Sequence, residues 1–96
     1  MNIFYNAAGV GDVLLIQITP EKTEKVTTDI IGDVTLVKDA QTSEILAINI
    51  FGFSKYAPLE ANGQVDLNEA LVAKIQEVLN TNNVNYQLEV DLSPKF

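Results

Sequence analysis

A single helical stripe in an otherwise β-patterned chain limits the folds open to this sequence. Leu67, Leu71, Ile75, Val78 and Leu79 recur mostly at intervals of three and four, with Glu69, Gln76, Glu77 and Asn80 on the opposite side; this is the spacing of one apolar face on a 3.6-residue helix. Asp66 followed by Glu69 has the spacing of a capping box, and acidic side chains suit the positive end of the helix dipole, so the helix is expected to begin at Asp66. The run Asn80-Thr81-Asn82-Asn83 should end it, Asn being the commonest non-glycine residue in the left-handed conformation. A helix this short holds mainly by docking its stripe, each large side chain contributing roughly 1.5–3 kcal/mol when fully buried. It therefore needs a sheet to dock on.

The rest of the chain supplies one. Ile3-Phe4-Tyr5 reads as a short first strand ended by Asn6 and the Gly9-Val10-Gly11-Asp12 cluster, whose glycines permit positive φ. Residues 13–19 are apolar on both faces at first and rich in β-branched side chains, which suits a central strand covered on both sides. Three further β-rich runs follow at 25–31, 33–38 and 44–51, the first two separated by Gly32 and the last two by the turn-favouring Asp39-Ala40-Gln41-Thr42-Ser43, so a meander is expected. Residues 52–59 are ambiguous, with Ser54 as a cap of one helical turn and Pro58 as its stop. Asn62-Gly63 signals a turn, and Val84, Tyr86, Leu88, Val90 and Leu92 alternate strictly with polar residues, giving the clearest strand pattern in the sequence. The expected fold is α+β: an antiparallel sheet of roughly four to six strands with one main C-terminal amphipathic helix packed on a face. Ninety-six residues without repeat or internal linker make one domain.

Composition excludes several functions. The chain has no Cys and no His, which removes disulfides, thiolate metal sites, cysteine nucleophiles and the side chain best suited to proton transfer near neutral pH. Its net charge is −7, and all six cations are Lys, scattered apart from Lys22 and Lys25. Nucleic-acid binders cluster cations on phosphates and exploit the guanidinium fork, so this chain should repel a polyanion and, by the same argument, an anionic membrane. The N-terminus lacks the features of a secretory signal and no apolar run could span a bilayer; a cytoplasmic protein is expected.

Four groups of residues invite a chemical reading. Gly9-Val10-Gly11 lacks the third glycine of a dinucleotide fingerprint and leads into a strand rather than a helix, so a turn is the better reading than a phosphate loop. Asp29 with Asp33, and Glu89 with Asp91, lack the spacing of a calcium loop and read as surface charge. Ser54, Lys55 and Tyr56 are adjacent rather than spaced to share a face, and read as a cap and a packed ring. Phe4, Tyr5, Phe51, Phe53 and Tyr56 could stack bases, but without interleaved Arg they read as core. No catalytic residue, cofactor or metal is expected.

A family likeness runs through these same residues. Phe4-Tyr5-Asn6, Gly9-Val10-Gly11-Asp12 and Leu14-Leu15, then Gly32-Asp33-Val34 and Asn49-Ile50-Phe51 with Ser54 and Tyr56, resemble the N-terminal domain of YtpR-type bacterial tRNA-binding proteins. The opening block is the most specific part. Ala7-Ala8 stands where relatives tend to carry a charged pair, and Ser43 replaces a hairpin glycine. In that family the domain precedes an oligonucleotide-binding barrel similar to the tRNA-binding module of the phenylalanyl-tRNA synthetase β subunit and of EMAP-like proteins. The resemblance therefore implies a non-enzymatic accessory domain of a longer protein, with tRNA as a partner only through the absent C-terminal barrel, no membrane, and any protein partner unidentified. It carries over no binding residue. The family-like residues that packing does not require, Asn6, Gly9, Gly11 and Asp12 with Asn49, Phe51 and Tyr56, form the candidate interaction surface. The alternative is a small-ligand-binding or enzymatic domain built on the turn of Gly9, Gly11 and Asp12.

Overall fold

A computed structural model describes residues 2–6, 11–18, 25–57, 63–66 and 68–88. Six strands, β1 (Asn2–Asn6), β2 (Val13–Gln17), β3 (Val26–Ile31), β4 (Val34–Asp39), β5 (Ile45–Phe51) and β6 (Gly63–Val65), and one helix, α1 (Glu69–Thr81), make an α+β fold. The strands form one sheet in the order β3-β4-β5-β2-β1-β6, every neighbouring pair antiparallel.

One face of the sheet carries the core. Ile3 and Tyr5 of β1, Leu14 and Ile16 of β2, Val34 and Leu36 of β4, and Ile48 and Ile50 of β5 are buried together with Leu71, Ile75, Val78 and Leu79 of α1. The alternation that sends these residues inward sends Phe4, Val13, Leu15, Asn49 and Phe51 to the opposite face. β2 lies between β1 and β5, inside the sheet as expected, but it is covered on one side only: Leu15 is exposed on the face away from the helix, so its apolar run does not reflect burial on both faces.

Local chemistry sets the connections. Gly32, at φ 61, opens the two-residue loop between β3 and β4 and holds a conformation that favours glycine in tight hairpins. In the β4–β5 loop the Asp39 carboxylate accepts from the Gln41 amide at 2.8 Å, and Ser43 adopts φ 64 at the position expected to hold glycine. Thus Ser43 keeps the turn while bearing the strain of a Cβ in the left-handed region.

The helix starts later than its sequence suggests. Asn68, not Asp66, is the N-cap: its side chain accepts from the Leu71 amide at 2.8 Å. Asp66 sits outside the helix because β6 occupies Gly63–Val65 immediately before it; Gly63, at φ 106, begins that strand, and Asn62 of the expected turn lies outside the described residues. At the other end Asn83 takes φ 62, while the Asn83 amide bonds to the Asn80 carbonyl at 3.1 Å and the Val84 amide to the Leu79 carbonyl at 2.8 Å. This is the pair of bonds of a Schellman cap, completed by buried Val84 beside Leu79.

The segment after the helix departs from expectation most. Residues 84–88 alternate in burial, yet they join no strand of the sheet; residues 89–92 of the expected strand lie outside the described residues. The partner is a side chain on the helix. Gln76 donates from Nε2 to the Tyr86 carbonyl at 2.9 Å and accepts at Oε1 from the Leu88 amide at 2.8 Å, matching the donor and acceptor of one extended-chain pair with a single carboxamide. Gln76 is therefore not a solvated residue of the polar face. Val84 and Leu88 bury against the core without needing a ladder.

Candidate functional site

Two surfaces emerge, a polar corner at one end of the sheet and the open sheet face away from the helix. The corner is built on Asp12, which enters β2 at φ 55. Its carbonyl receives the amides of Gly52 at 2.8 Å and Phe53 at 3.2 Å, tying the loop before β2 to the 3₁₀ turn Phe53–Lys55. The Asp12 carboxylate accepts from the Tyr5 hydroxyl, from the Ser54 amide at 2.9 Å and from the Ser54 hydroxyl. Ser54 does not cap the turn: Gly52, at φ 69, holds the cap position with no side-chain bond.

A second carboxylate extends the corner. Asp33 Oδ2 accepts from Lys55 Nζ at 3.0 Å and from the Tyr56 hydroxyl at 2.6 Å. Asn82, at the end of the helix, donates to the Tyr56 oxygen at 3.0 Å and accepts from the Asp33 amide at 3.0 Å, so the β3–β4 loop, the 3₁₀ turn and the helix end are joined. Gly32 lies so close that a Cβ there would collide with Asn82 Oδ1.

The electrostatics of the corner oppose acid-base chemistry. The Ser54 hydroxyl, then the Tyr5 hydroxyl, hold the Asp12 carboxyl below the ordinary carboxylate range; the Tyr56 hydroxyl, then Lys55, do the same for Asp33. Asp33 in turn raises the Lys55 ammonium, and Asp12 raises the Tyr5 phenol. A carboxylate pushed down is a weaker base and a Lys pushed up offers no neutral amine near pH 7. The Asp12 and Asp33 carboxylates thus accept from Tyr5, Ser54, Lys55 and Tyr56 within the cluster itself.

The sheet face is different in kind. Ile30, Thr35, Asn49, Leu15, Phe4 and Gln64 stand opposite one another in one row crossing all six strands, and Phe51 pairs with Val13 beside it. Phe4, Tyr5, Val13, Leu15, Asn49, Phe51 and Gly63 line an open depression of about 460 Å³. Phe51 is 47% exposed, and Phe4 and Leu15 are exposed beside it. None of these seven residues is charged, on a chain of net charge −7.

Comparison with known proteins gives this architecture a family. The family described as "Domain of unknown function (DUF4479)" matches residues 21–91. The chain belongs to this family. The Bacillus subtilis (strain 168) protein named "Putative tRNA-binding protein YtpR" is 44% identical over all 96 residues. The chain spans 48% of the length of that curated relative, a binding protein by name. No solved structure matches.

Within this DUF4479 domain the residues singled out from sequence divide between the two surfaces. Asn49 and Phe51 lie on the open face; Asp12 and Tyr56 lie in the corner. Gly11 precedes Asp12 as irregular backbone and Asn6 ends β1, while Gly9 lies outside the described residues. Sequence reasoning missed Tyr5, Asp33, Ser54 and Asn82 as members of one network, and Phe4 and Leu15 as surface. Asp12 and Ser54 are 42 residues apart, and no local pattern joins them. The five aromatics also split: Tyr5 packs edge-on against buried Phe53 at 6.2 Å between centroids, whereas Phe4 and Phe51 face outward. Asp29 pairs with Lys38 at 2.6 Å, not with Asp33. Among the described residues no three metal-ligating side chains cluster, and no helix is long and apolar enough to cross a membrane.

The corner predicts an acid limb of instability. Because Asp12 and Asp33 titrate lower folded than unfolded, the unfolded chain binds more protons as pH falls, so their contribution is present above about pH 4 and is lost below it. The Lys55 and Tyr5 shifts act at the other end and are lost only as pH rises past about 10. Thermal midpoints should hold from about pH 5 to 8 and drop below about pH 4. The double variant Asp12→Asn, Asp33→Asn should melt lower at pH 7 and lose part of that acid slope; an unchanged slope would remove the corner from the account.

Proposed function

We propose that this chain is a non-enzymatic accessory domain of a longer tRNA-binding protein, and that tRNA is held by the half of such a protein that has no counterpart here. The observation that carries the reading is the relative itself: 44% identity over the whole chain, with 48% of the relative spanned, in a protein named for tRNA binding. Charge supports assigning the RNA elsewhere. A domain of net charge −7 without Arg can neutralise few phosphates, and counterion release from phosphate contacts supplies essentially all nonspecific affinity for nucleic acid.

On this reading the open face is where the domain meets the rest of that protein, through Phe4, Leu15, Asn49 and Phe51, with Asn6, Gly11 and Asp12 at its margin. An uncharged, partly aromatic patch suits the core of a protein contact, from which charge is depleted, and it offers no cation to a phosphate backbone. The alternative, ligand chemistry at the Asp12 turn, is disfavoured because that carboxylate is already held by Tyr5 and Ser54. Comparing the tRNA affinity of residues 1–96 with that of the longer protein tests the proposal.

A further inference from the structure

We infer that the free edge of β3 is a pairing surface for a second copy of this chain, the two β3 strands meeting antiparallel about a two-fold axis at Thr28. β3 is an outermost strand of the sheet, and nothing among the described residues pairs with its outer side. Natural sheets blunt such edges with short strands, Pro, Lys or bulges. The opposite edge, β6, has three residues and begins with Gly. β3 has six residues, Val26-Thr27-Thr28-Asp29-Ile30-Ile31, without Pro, Lys or Gly, and its register with β4 is continuous from end to end. Val26 is 51% and Ile30 77% exposed.

The hydrogen-bond phase selects the register. The β3–β4 hairpin closes on Ile31 and Val34 around two residues, and the Ala40 amide bonds to the Lys25 carbonyl at 3.1 Å. Bonded and non-bonded pairs alternate along an antiparallel ladder, so residues 25, 27, 29 and 31 turn their backbone groups to β4. Val26, Thr28 and Ile30 aim theirs outward. Centring a two-fold on Thr28 sets Thr28 against Thr28, and Val26 against Ile30 in both directions, so every outward N–H and C=O of these three residues finds a partner.

The side chains agree with that register. Thr–Thr and β-branched cross-strand pairs are favourable, and Val26 and Ile30 sit on the open face, where they would cover one another. Asp29, the one charge in the strand, falls opposite Thr27 of the other copy rather than opposite Asp29, and is already paired to Lys38. The two open faces would join in one continuous sheet. A single strand pair buries less than a standard interface of about 1,200–2,000 Å², so the association is weak. Two bodies of net charge −7 repel, so it strengthens as salt rises. This inference stands on the edge geometry and is independent of where tRNA binds.

The test is sedimentation equilibrium of residues 1–96 from micromolar to about millimolar protein, at about 0.1 and 1 M salt, where the Debye length falls from about 10 to 3 Å. Thr28→Pro deletes an outward donor that makes no bond within the sheet, and Thr28→Lys places like charges face to face on the axis; both should fold with the parent's thermal midpoint. We expect a monomer–dimer equilibrium favoured by salt and weakened at least tenfold in both variants. A chain monomeric throughout, a dimer weakened by salt, or less than tenfold weakening in either folded variant overturns the inference. Should Thr28→Pro not fold, the outward phase of its amide is wrong, which overturns the register.

Discussion

Phe53→Ala is expected to lower the free energy of unfolding by about 3–5 kcal/mol, the usual range for emptying a buried aromatic site. Phe53 is fully buried although it lies in a three-residue turn, a position from which side chains are usually exposed. Its ring meets Tyr5 edge-on in the cluster that holds the inward residues of β1, β2, β4 and β5 and of the helix. Its amide bonds to the Asp12 carbonyl, so the ring cannot be replaced by a shift of the turn without breaking the corner. Against a total of about 5–15 kcal/mol, the loss should appear as a fall in Tm on the order of 12–40 °C for a domain this size. A midpoint within a few degrees of the parent would show that the turn packs less deeply than described.

Ile75→Ala is expected to cost about 2–5 kcal/mol, for a related reason on the other layer. Ile75 is fully buried at the middle of the helical stripe, with Leu71 one turn before it and Leu79 one turn after. Removing it leaves a void between helix and sheet that two flanking Leu side chains, fixed by their own contacts, can only partly fill. Glu77→Ala on the exposed face is the control: its ion pair with Lys74 at 2.7 Å is solvent-exposed and surface pairs contribute about 0–1 kcal/mol. Equal denaturant midpoints for the two variants would mean that the helix docks by another face.

The sheet and the helix were legible because each long element carries a periodic signal. The 3.6-residue stripe from Leu71 to Leu79 and the runs that became β2 to β5 needed only binary patterning. The errors fall where a partner is distant or a strand is short. Residues 84–88 alternate like a strand, but alternation reports which side chains are buried and not what accepts the backbone; Gln76 supplies that acceptor and donor from the helix. Gly63–Val65 is too short for any period, and its pairing with β1 displaced the expected cap from Asp66 to Asn68. The corner was invisible for the same reason. Asp12, Asp33, Ser54 and Asn82 each look like ordinary turn residues, and only topology brings them together. The open face was half legible: Asn49 and Phe51 were singled out by family likeness, but that Phe4 and Leu15 share their face follows from the register of β1 on β2 and of β2 on β5.

The central claim, that this domain serves a tRNA-binding protein without holding the tRNA, is tested most directly by titrating labelled tRNA with residues 1–96 and, in parallel, with the longer protein. At about 0.15 M salt, where exposed charges are screened beyond about 8 Å, the account predicts no saturable binding by residues 1–96 and saturable binding by the longer protein that weakens as salt rises. Binding by residues 1–96 alone in the micromolar range or tighter would contradict it, and would move the RNA contact onto the aromatic face around Phe4 and Phe51.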